Sequence, residues 1–165
     1  MTKNPVLTPA GMIATVFGLG RAVKVTPGTA GSFVGAVAAI FLPLPARLAA
    51  IVVLSAVGVW AAGAYEKMTG RTDPGEVIID EVAGQLLATV GHIAGAGFHD
   101  ETARYFIACF ILFRFFDILK PWPVSACEKA PGGLGIMLDD LVGGFLAGLL
   151  LFVLRKVFIE GWWPF

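Results

Sequence analysis

Charged residues are scarce in this chain. Only 15% of its 165 residues are Asp, Glu, Lys or Arg, whereas 57% are hydrophobic. A typical globular domain has about 25% charged residues. A soluble fold of this size needs a polar exterior, and the chain has too little material to build one. The composition therefore favours a membrane protein formed by one domain.

Net charge and cysteine frameworks are absent as well. The 12 basic residues match the 12 acidic ones, so the basic surface of a nucleic-acid-binding protein is missing and no nucleic-acid partner is expected. Cys109 and Cys127 form neither a disulfide framework nor a CxxC metal pair. Gly133 stands where the Cys-x5-Arg phosphate loop of thiol phosphatases would need arginine. Neither cysteine is therefore expected to have a functional role.

Five apolar segments follow a short N-terminal helix at residues 8–20, for which Thr8 is the expected N-cap and Pro9 the first residue. The first segment is shorter than the about 20 residues that a bilayer helix needs. We predict an all-α, polytopic membrane helix bundle with a surface helix within 1–25, a helical core at 26–154 and an interfacial tail at 155–165. The predicted segments are 32–45, 48–65, 77–97, 105–119 and 134–154.

Five spans would put the loops at 21–31, 66–76 and 120–133 on one side of the membrane. These loops hold more lysine and arginine than the connections and the tail on the other side. The bias predicts a cytoplasmic N-terminus and cytoplasmic loops. The residues counted are Arg21, Lys24, Lys67, Arg71, Lys120 and Lys129 on the first side, and Arg47, Arg104, Arg155 and Lys156 on the other.

Acidic residues enter three of these apolar segments, always near their cytoplasmic ends. At 1.5 Å rise per residue they lie roughly 5–10 Å below the boundary, and intramembrane acids are costly enough to suggest function. Arg114 and Lys120 offset part of their repulsion, and oxygen ligands favour Mg²⁺, Mn²⁺ or Ca²⁺ over zinc. The acids are Asp80, Glu81, Asp117, Asp139 and Asp140.

The sequence TPGTAGS at residues 26–32 precedes the first apolar segment. Gly28, Thr29, Gly31 and Ser32 can present backbone amides to an anion. The alternative is an ordinary turn with an N-cap at Thr29 or Ser32. Glycines on later segments, Gly84, Gly144 and Gly148, are spaced for close helix packing.

Four motifs occur in order: GTAGS, D-x6-DE, F-R-x2-D-x2-K-P-W-P and GGxGIMxDD. With them the chain resembles the phosphatidylglycerophosphatase A family over roughly residues 26–148. The resemblance implies a multi-pass enzyme of the bacterial inner membrane that removes the terminal phosphate of phosphatidylglycerophosphate with Mg²⁺, its active site facing the cytoplasm. It also implies five metal-binding acids, and it matches Asp117 and Lys120 to the family's D-x2-K-P-W-P motif. The five acids are Asp73, Asp80, Glu81, Asp139 and Asp140.

The expected mechanism is metal-assisted phosphomonoester hydrolysis, with Asp80 or Asp140 as general base and Asp117 and Lys120 as further catalytic residues. Lys120, Arg114 and the GTAGS amides would hold the phosphate. The expected partners are a phospholipid substrate and membrane lipids; metal count and oligomeric state stay open. His92 and His99 lie away from the acids, so neither is expected to be catalytic.

The sequence leaves two alternative functions open. A small transporter for divalent metal or other ions would also carry intramembrane acids, although it should spread them through the depth of the membrane. A phosphatidyltransferase would also act on a lipid headgroup, but the D-x2-D-G-x2-A-R pattern of the CDP-alcohol transferases is missing.

Overall fold

The computed structural model describes residues 4–91 and 100–158, which form helices and connections without any strand. This confirms the all-α class. A 3₁₀ helix, Pro5–Leu7, precedes α1 (Pro9–Ala14), α2 (Leu19–Ala22), α3 (Pro27–Phe41), α4 (Leu44–Thr69), α5 (Ile79–Ala88), α6 (Asp100–Leu119), α7 (Val124–Cys127) and α8 (Gly133–Phe158).

Among the described residues, two helices are long and apolar enough to cross a membrane, α4 and α8 over Gly133–Val157. The expected count of five is not confirmed. The helix α3 has 15 residues and ends where Pro43 disfavours helical backbone in Leu42. The helix α5 has 10, and the end of the third predicted segment lies outside the described residues, as do His92, His99 and most of the tail.

The predicted N-terminal helix is divided into two pieces. Thr8 caps α1 as expected, because its hydroxyl accepts a hydrogen bond from the amide of Gly11 at 3.0 Å. The helix then stops, since Val16 and Phe17 adopt positive φ values of 48° and 57°. The amide of Ile78 donates to the carbonyl of Ala14 at 2.9 Å, so this segment is anchored to the start of α5.

The short helix α5 lies at the centre of the bundle and is buried along most of its length. It packs against α8, α3 and α4. Glycines permit the closest approach: a methyl group on Gly84 would meet the carbonyl of Asp140, and one on Gly148 would meet Ala88. Gly144 lies directly against the backbone of Gly84. The predicted small-residue packing is therefore confirmed.

Contacts between helix ends define two poles of the bundle. At one pole Gly28 at the start of α3 meets Glu81 of α5 and Arg114 of α6. At the other, Arg47 joins the C-terminal ends of α3 and α5. Because successive long helices alternate in direction, the acidic ends of α5, α6 and α8 share the first pole.

Arg47 was expected in a connection but lies in the first turn of α4, where its side chain is buried. Its guanidinium donates to the carbonyls of Thr89 at 2.8 Å, Ala39 at 2.7 Å and Leu42 at 3.1 Å. Carbonyls at helix C-terminal ends lack intrahelical donors. Arg47 therefore caps α3 and α5 together.

Candidate metal and phosphate site

Three carboxylates meet at the acidic pole. Asp80 and Glu81 come from the first turn of α5, and Asp140 comes from the second turn of α8. One oxygen from each lies within 4.8 Å of the others. Asp80 and Asp140 are only 6% and 3% exposed. Two elements that cross closely, at Gly84 and Gly144, thus bring three acids to one point.

The other two acids of these apolar helices are held by cations. Asp139 accepts a hydrogen bond from the ammonium of Lys120 at 2.7 Å, and Asp117 forms an ion pair with Arg114 one turn earlier on α6. The negative charge of Asp117 also acts on Asp140. Adjacent residues on a helix diverge by about 100°, which is why Asp139 and Asp140 have different partners.

Lys120 occupies the break between α6 and α7. Its amide still donates to the carbonyl of Phe116 at 2.9 Å, but its φ is 43°, a left-handed value that is uncommon for lysine. The following Pro121 cannot continue the helix. Burial opposes the charge of Lys120, but the hydrogen bonds and charges of Asp139 and Glu128 outweigh it and raise the pKa of the ammonium.

The GTAGS residues are helical from the start. The helix α3 begins at Pro27 with Thr26 as N-cap, so the predicted turn and the N-caps at Thr29 or Ser32 are wrong. Helix geometry leaves the amides of Gly28 and Thr29 without an intrahelical partner. A proline at the first position and a glycine at the second are compatible with the start of a helix. The residues of this stretch therefore do not require a turn.

Two residues of this helix contact the acids and their cations. The glycine at position 28 leaves room for Glu81 Oε1 and Arg114 Nη1. Ser32 is fully buried and accepts a hydrogen bond from Arg114 Nη1 at 3.3 Å. By contrast Gly31 packs against Ile78 and the Cβ of Glu81, so its role in the structure is close packing between α3 and α5.

Asp73 lies apart from the three-carboxylate group. It is an exposed residue of the loop between α4 and α5, with a positive φ of 44°. The charges of Lys120 and Asp117 act on its carboxyl. The loop therefore brings Asp73 to the rim of the same pole.

Mg²⁺ is compatible with the three-carboxylate group. All the donor atoms are oxygens, which this ion prefers. Among the described residues, Asp80 Oδ1 and Glu81 Oε2 are buried with no hydrogen-bond partner. Buried charged oxygens without partners are costly, and a divalent cation would satisfy both.

Comparison with known proteins gives the site its context. Residues 12–155 match the family described as phosphatidylglycerophosphatase A. The chain belongs to this family. It is 30% identical over 161 residues to the phosphatidylglycerophosphatase A of Haemophilus influenzae, with 94% of each chain covered. It is 32% identical over 151 residues to that of Escherichia coli, covering 88% of this chain and 83% of the other.

A third relative has a different name. A Bacteroides thetaiotaomicron protein named "Putative phosphatidylinositol-3-phosphatase" is 37% identical over 163 residues, covering 94% of this chain and 98% of the other. No solved structure matches the chain at a significant level. Membership of the phosphatidylglycerophosphatase A family makes the chain a phosphatase with a phospholipid substrate. Together with the two long apolar helices, it indicates a membrane protein.

Sequence reasoning missed two residues near this phosphatase site. Glu128, to which no role was given, accepts a hydrogen bond from Lys120 at 3.0 Å. Gln85 lies one helical turn after Glu81, fully buried, with neither amide atom hydrogen-bonded to a described residue. A neutral amide inside an apolar helix gives little signal, but its i, i+4 spacing from Glu81 would have placed it on the same face.

Proposed function

We propose that this family member is a Mg²⁺-dependent phosphatase that converts phosphatidylglycerophosphate to phosphatidylglycerol and inorganic phosphate, in the synthesis of phosphatidylglycerol and cardiolipin. The observation that carries the proposal is the pairing of three converging carboxylates with two cations at one pole. Carboxylates attract a metal ion, and the adjacent Lys120 and Arg114 attract the phosphate. The two relatives that are named phosphatidylglycerophosphatase A, at 30% and 32% identity, support this substrate.

In this mechanism Asp80, Glu81 and Asp140 hold Mg²⁺. When bound, the ion neutralises phosphate charge and lowers the pKa of a coordinated water. Asp80 or Asp140 accepts the proton of the attacking water as general base. Asp73, at the rim, and Asp139, beside Lys120, are candidates for completing the metal-binding set. No serine, cysteine or histidine nucleophile is implied.

Lys120 and Arg114 bind the oxygens of the terminal phosphate, helped by the amides of Gly28 and Thr29 at the start of α3. Each cation is already oriented by an acid, Lys120 by Asp139 and Arg114 by Asp117. Such preorganisation lowers the cost of placing charge against the transition state. The hydroxyl of Ser32 fixes the same guanidinium from α3.

We further propose a multi-pass protein of the bacterial inner membrane, with the acidic pole facing the cytoplasm. The excess of lysine and arginine in the loops at that pole supports this orientation. The headgroup of a phospholipid stays at the interface, where a site just below the surface can reach it. A periplasmic reading is expected from a reporter fused after residue 99; a cytoplasmic reading would contradict the orientation.

Phosphate release from phosphatidylglycerophosphate by purified protein in neutral detergent tests the activity. We expect release with Mg²⁺ and none with EDTA. Phosphatidylinositol 3-phosphate is the competing substrate, because the relative with 37% identity is named for it. A higher kcat/KM for the inositol lipid would overturn the substrate assignment and keep the phosphatase.

The transporter alternative gains no support from the family match, which concerns phosphatases. Flux of Mn²⁺ into liposomes that contain the protein, without any turnover of lipid phosphate, would be the result in its favour.

A further inference from the structure

A basic cleft lies beside the acidic pole, outside the group of residues that the mechanism uses. Its volume is about 420 Å³, and it opens between α2, the first residue of α3 and the loop after α4. Arg21, Lys24 and Arg71 line it together with one acid, Glu76. Three positive charges against one negative charge leave a net charge of +2.

Glu76 neutralises only part of this charge. It accepts hydrogen bonds from Arg71 Nη2 at 2.7 and 2.9 Å, while Arg21 Nη1 lies 4.0 Å from its Oε1. Burial would raise the pKa of Glu76, but its hydrogen bonds and the charge of Arg71 outweigh burial and lower the pKa. Among the described residues Lys24 has no ion-pair partner. Arg21, with a side chain 57% exposed, and Lys24 are therefore available to an anion.

The cleft and the phosphate site share a wall. Pro27 borders the cleft, and the next residue, Gly28, contacts Glu81 and Arg114. The loop after α4 likewise contributes Arg71 to the cleft and, two residues later, brings Asp73 near Lys120. The cleft and the phosphate site therefore lie next to each other at the start of α3.

We propose that this cleft binds the phosphodiester group of an anionic phospholipid while the terminal phosphate of the same headgroup occupies the site between Lys120, Arg114 and the three carboxylates. The inference rests on the proposed function, whose substrate carries a monoester and a diester phosphate joined by one glycerol unit. A diester anion needs its own cations when it leaves water. Arg21 and Lys24 supply them, which makes the cleft the determinant that favours a two-phosphate headgroup.

The double variant Arg21→Gln/Lys24→Gln tests the assignment, with Arg71 kept because it holds Glu76. We expect KM for phosphatidylglycerophosphate in neutral detergent to rise about tenfold, while kcat stays within about twofold, since these charges bind ground state and transition state alike. Inhibition by inorganic phosphate, which needs only the terminal site, should be unchanged. The matched control Arg155→Gln/Lys156→Gln removes two charges from the end of α8 and should leave KM unchanged.

An unchanged KM in the cleft variant would overturn the proposal. So would an equal weakening of inhibition by inorganic phosphate, because the two cations would then serve the terminal phosphate. An equal rise of KM in the control variant would show a general charge effect and would overturn it too.

A binding measurement separates this proposal from the proposed function. Phosphatidylglycerol has the diester and lacks the terminal phosphate, so its binding in neutral detergent micelles requires no turnover. We expect the unmodified protein to bind it about tenfold more tightly than the cleft variant. Equal binding would overturn the cleft assignment even in an active phosphatase, whereas tighter binding would uphold it even if the protein hydrolyses a different lipid.

Discussion

The two poles of the bundle both bury charge, but they satisfy it differently. Arg47 donates three hydrogen bonds to backbone carbonyls and lies with its guanidinium carbon 5.8 Å from the ring of Phe106. At the opposite pole, Asp80 and Glu81 each keep a buried oxygen with no partner among the described residues. Arg47 Nε is likewise without a partner, but backbone carbonyls accept from the rest of that guanidinium. Buried carboxylate oxygens without partners are costly, and a bound cation would satisfy those of Asp80 and Glu81.

Replacement of Asp140 by asparagine should have the largest effect. The amide keeps the shape of the side chain but loses a charge that would bind the metal, so we expect kcat to fall by at least about 10³-fold, equal to about 4 kcal/mol. Thermal stability without Mg²⁺ should hold or increase, because a buried like charge is removed. Phosphate release and thermal unfolding in detergent measure both effects.

The control for this variant is Glu66→Gln, which removes a carboxylate from α4 outside the three-carboxylate group. It should keep full activity. A second readout is the rise in unfolding temperature that Mg²⁺ gives the unmodified protein by binding its native state. Full activity in Asp140→Asn, or an unchanged Mg²⁺ response, would remove Asp140 from the metal site.

Arg47→Met should produce the opposite pattern. Loss of the guanidinium leaves the carbonyls of Ala39, Leu42 and Thr89 unpaired in the interior, which should cost about 3 kcal/mol of unfolding free energy. The kcat of the protein that remains folded should not change. Arg47→Lys keeps the positive charge but cannot donate from two nitrogens to both helix ends. An intermediate loss of unfolding free energy is therefore expected. A fall in kcat with unchanged stability would instead assign Arg47 a role in activity.

Lys120→Met should lower kcat/KM by about 10²-fold, or about 2.7 kcal/mol, because a phosphate contact is lost and Asp139 becomes an unpaired buried charge. Lys120→Gly is the matched variant: it suits the left-handed backbone at φ 43° and removes the same ammonium. Equal losses of activity in both variants are expected. Recovery of activity in the glycine variant would assign the effect to the backbone.

The raised pKa of Lys120 also fixes the pH range of its contribution to stability. A folded-state pKa above the ordinary 10.5 stabilises the fold fully below that pH, and the contribution declines as pH rises through the folded value. Lys120 stays charged from about pH 6 to about pH 9. The difference in unfolding free energy between the unmodified protein and Lys120→Met should therefore be constant over this range. A decline within that range would point to another group.

Several of these features could be predicted from the sequence. Acids near the ends of apolar segments, with the break at Lys120-Pro121, indicated a common pole, because antiparallel helices joined by short loops return their ends to one side. The rotation of each helix could not be predicted. It decides that Asp140 joins Asp80 while the adjacent Asp139 turns to Lys120.

The capping role of Arg47 was out of reach for a different reason. Its acceptors are backbone carbonyls, which every residue has, so no sequence pattern identifies them. The GTAGS stretch was misassigned because glycine and threonine favour turns locally, whereas the packing of Gly28 and Gly31 on α5 compensates for their low helix propensity. Tertiary contacts outweighed local preference at both places.

Gln85→Met should have the smallest effect. It tests how far along α5 the functional part of the acidic pole extends. Both amide atoms of Gln85 are buried without a partner among the described residues, and Gly35 of α3 packs against its Cβ and Cγ. A methionine of similar shape removes the unsatisfied amide, so we expect a gain of about 1 kcal/mol in stability. The kcat should change by no more than about threefold, because the residue lies a full turn beyond Glu81. A tenfold loss of kcat would instead extend the functional pole one turn deeper along α5, and a loss of stability would mean that the amide already has a ligand, most simply an ordered water.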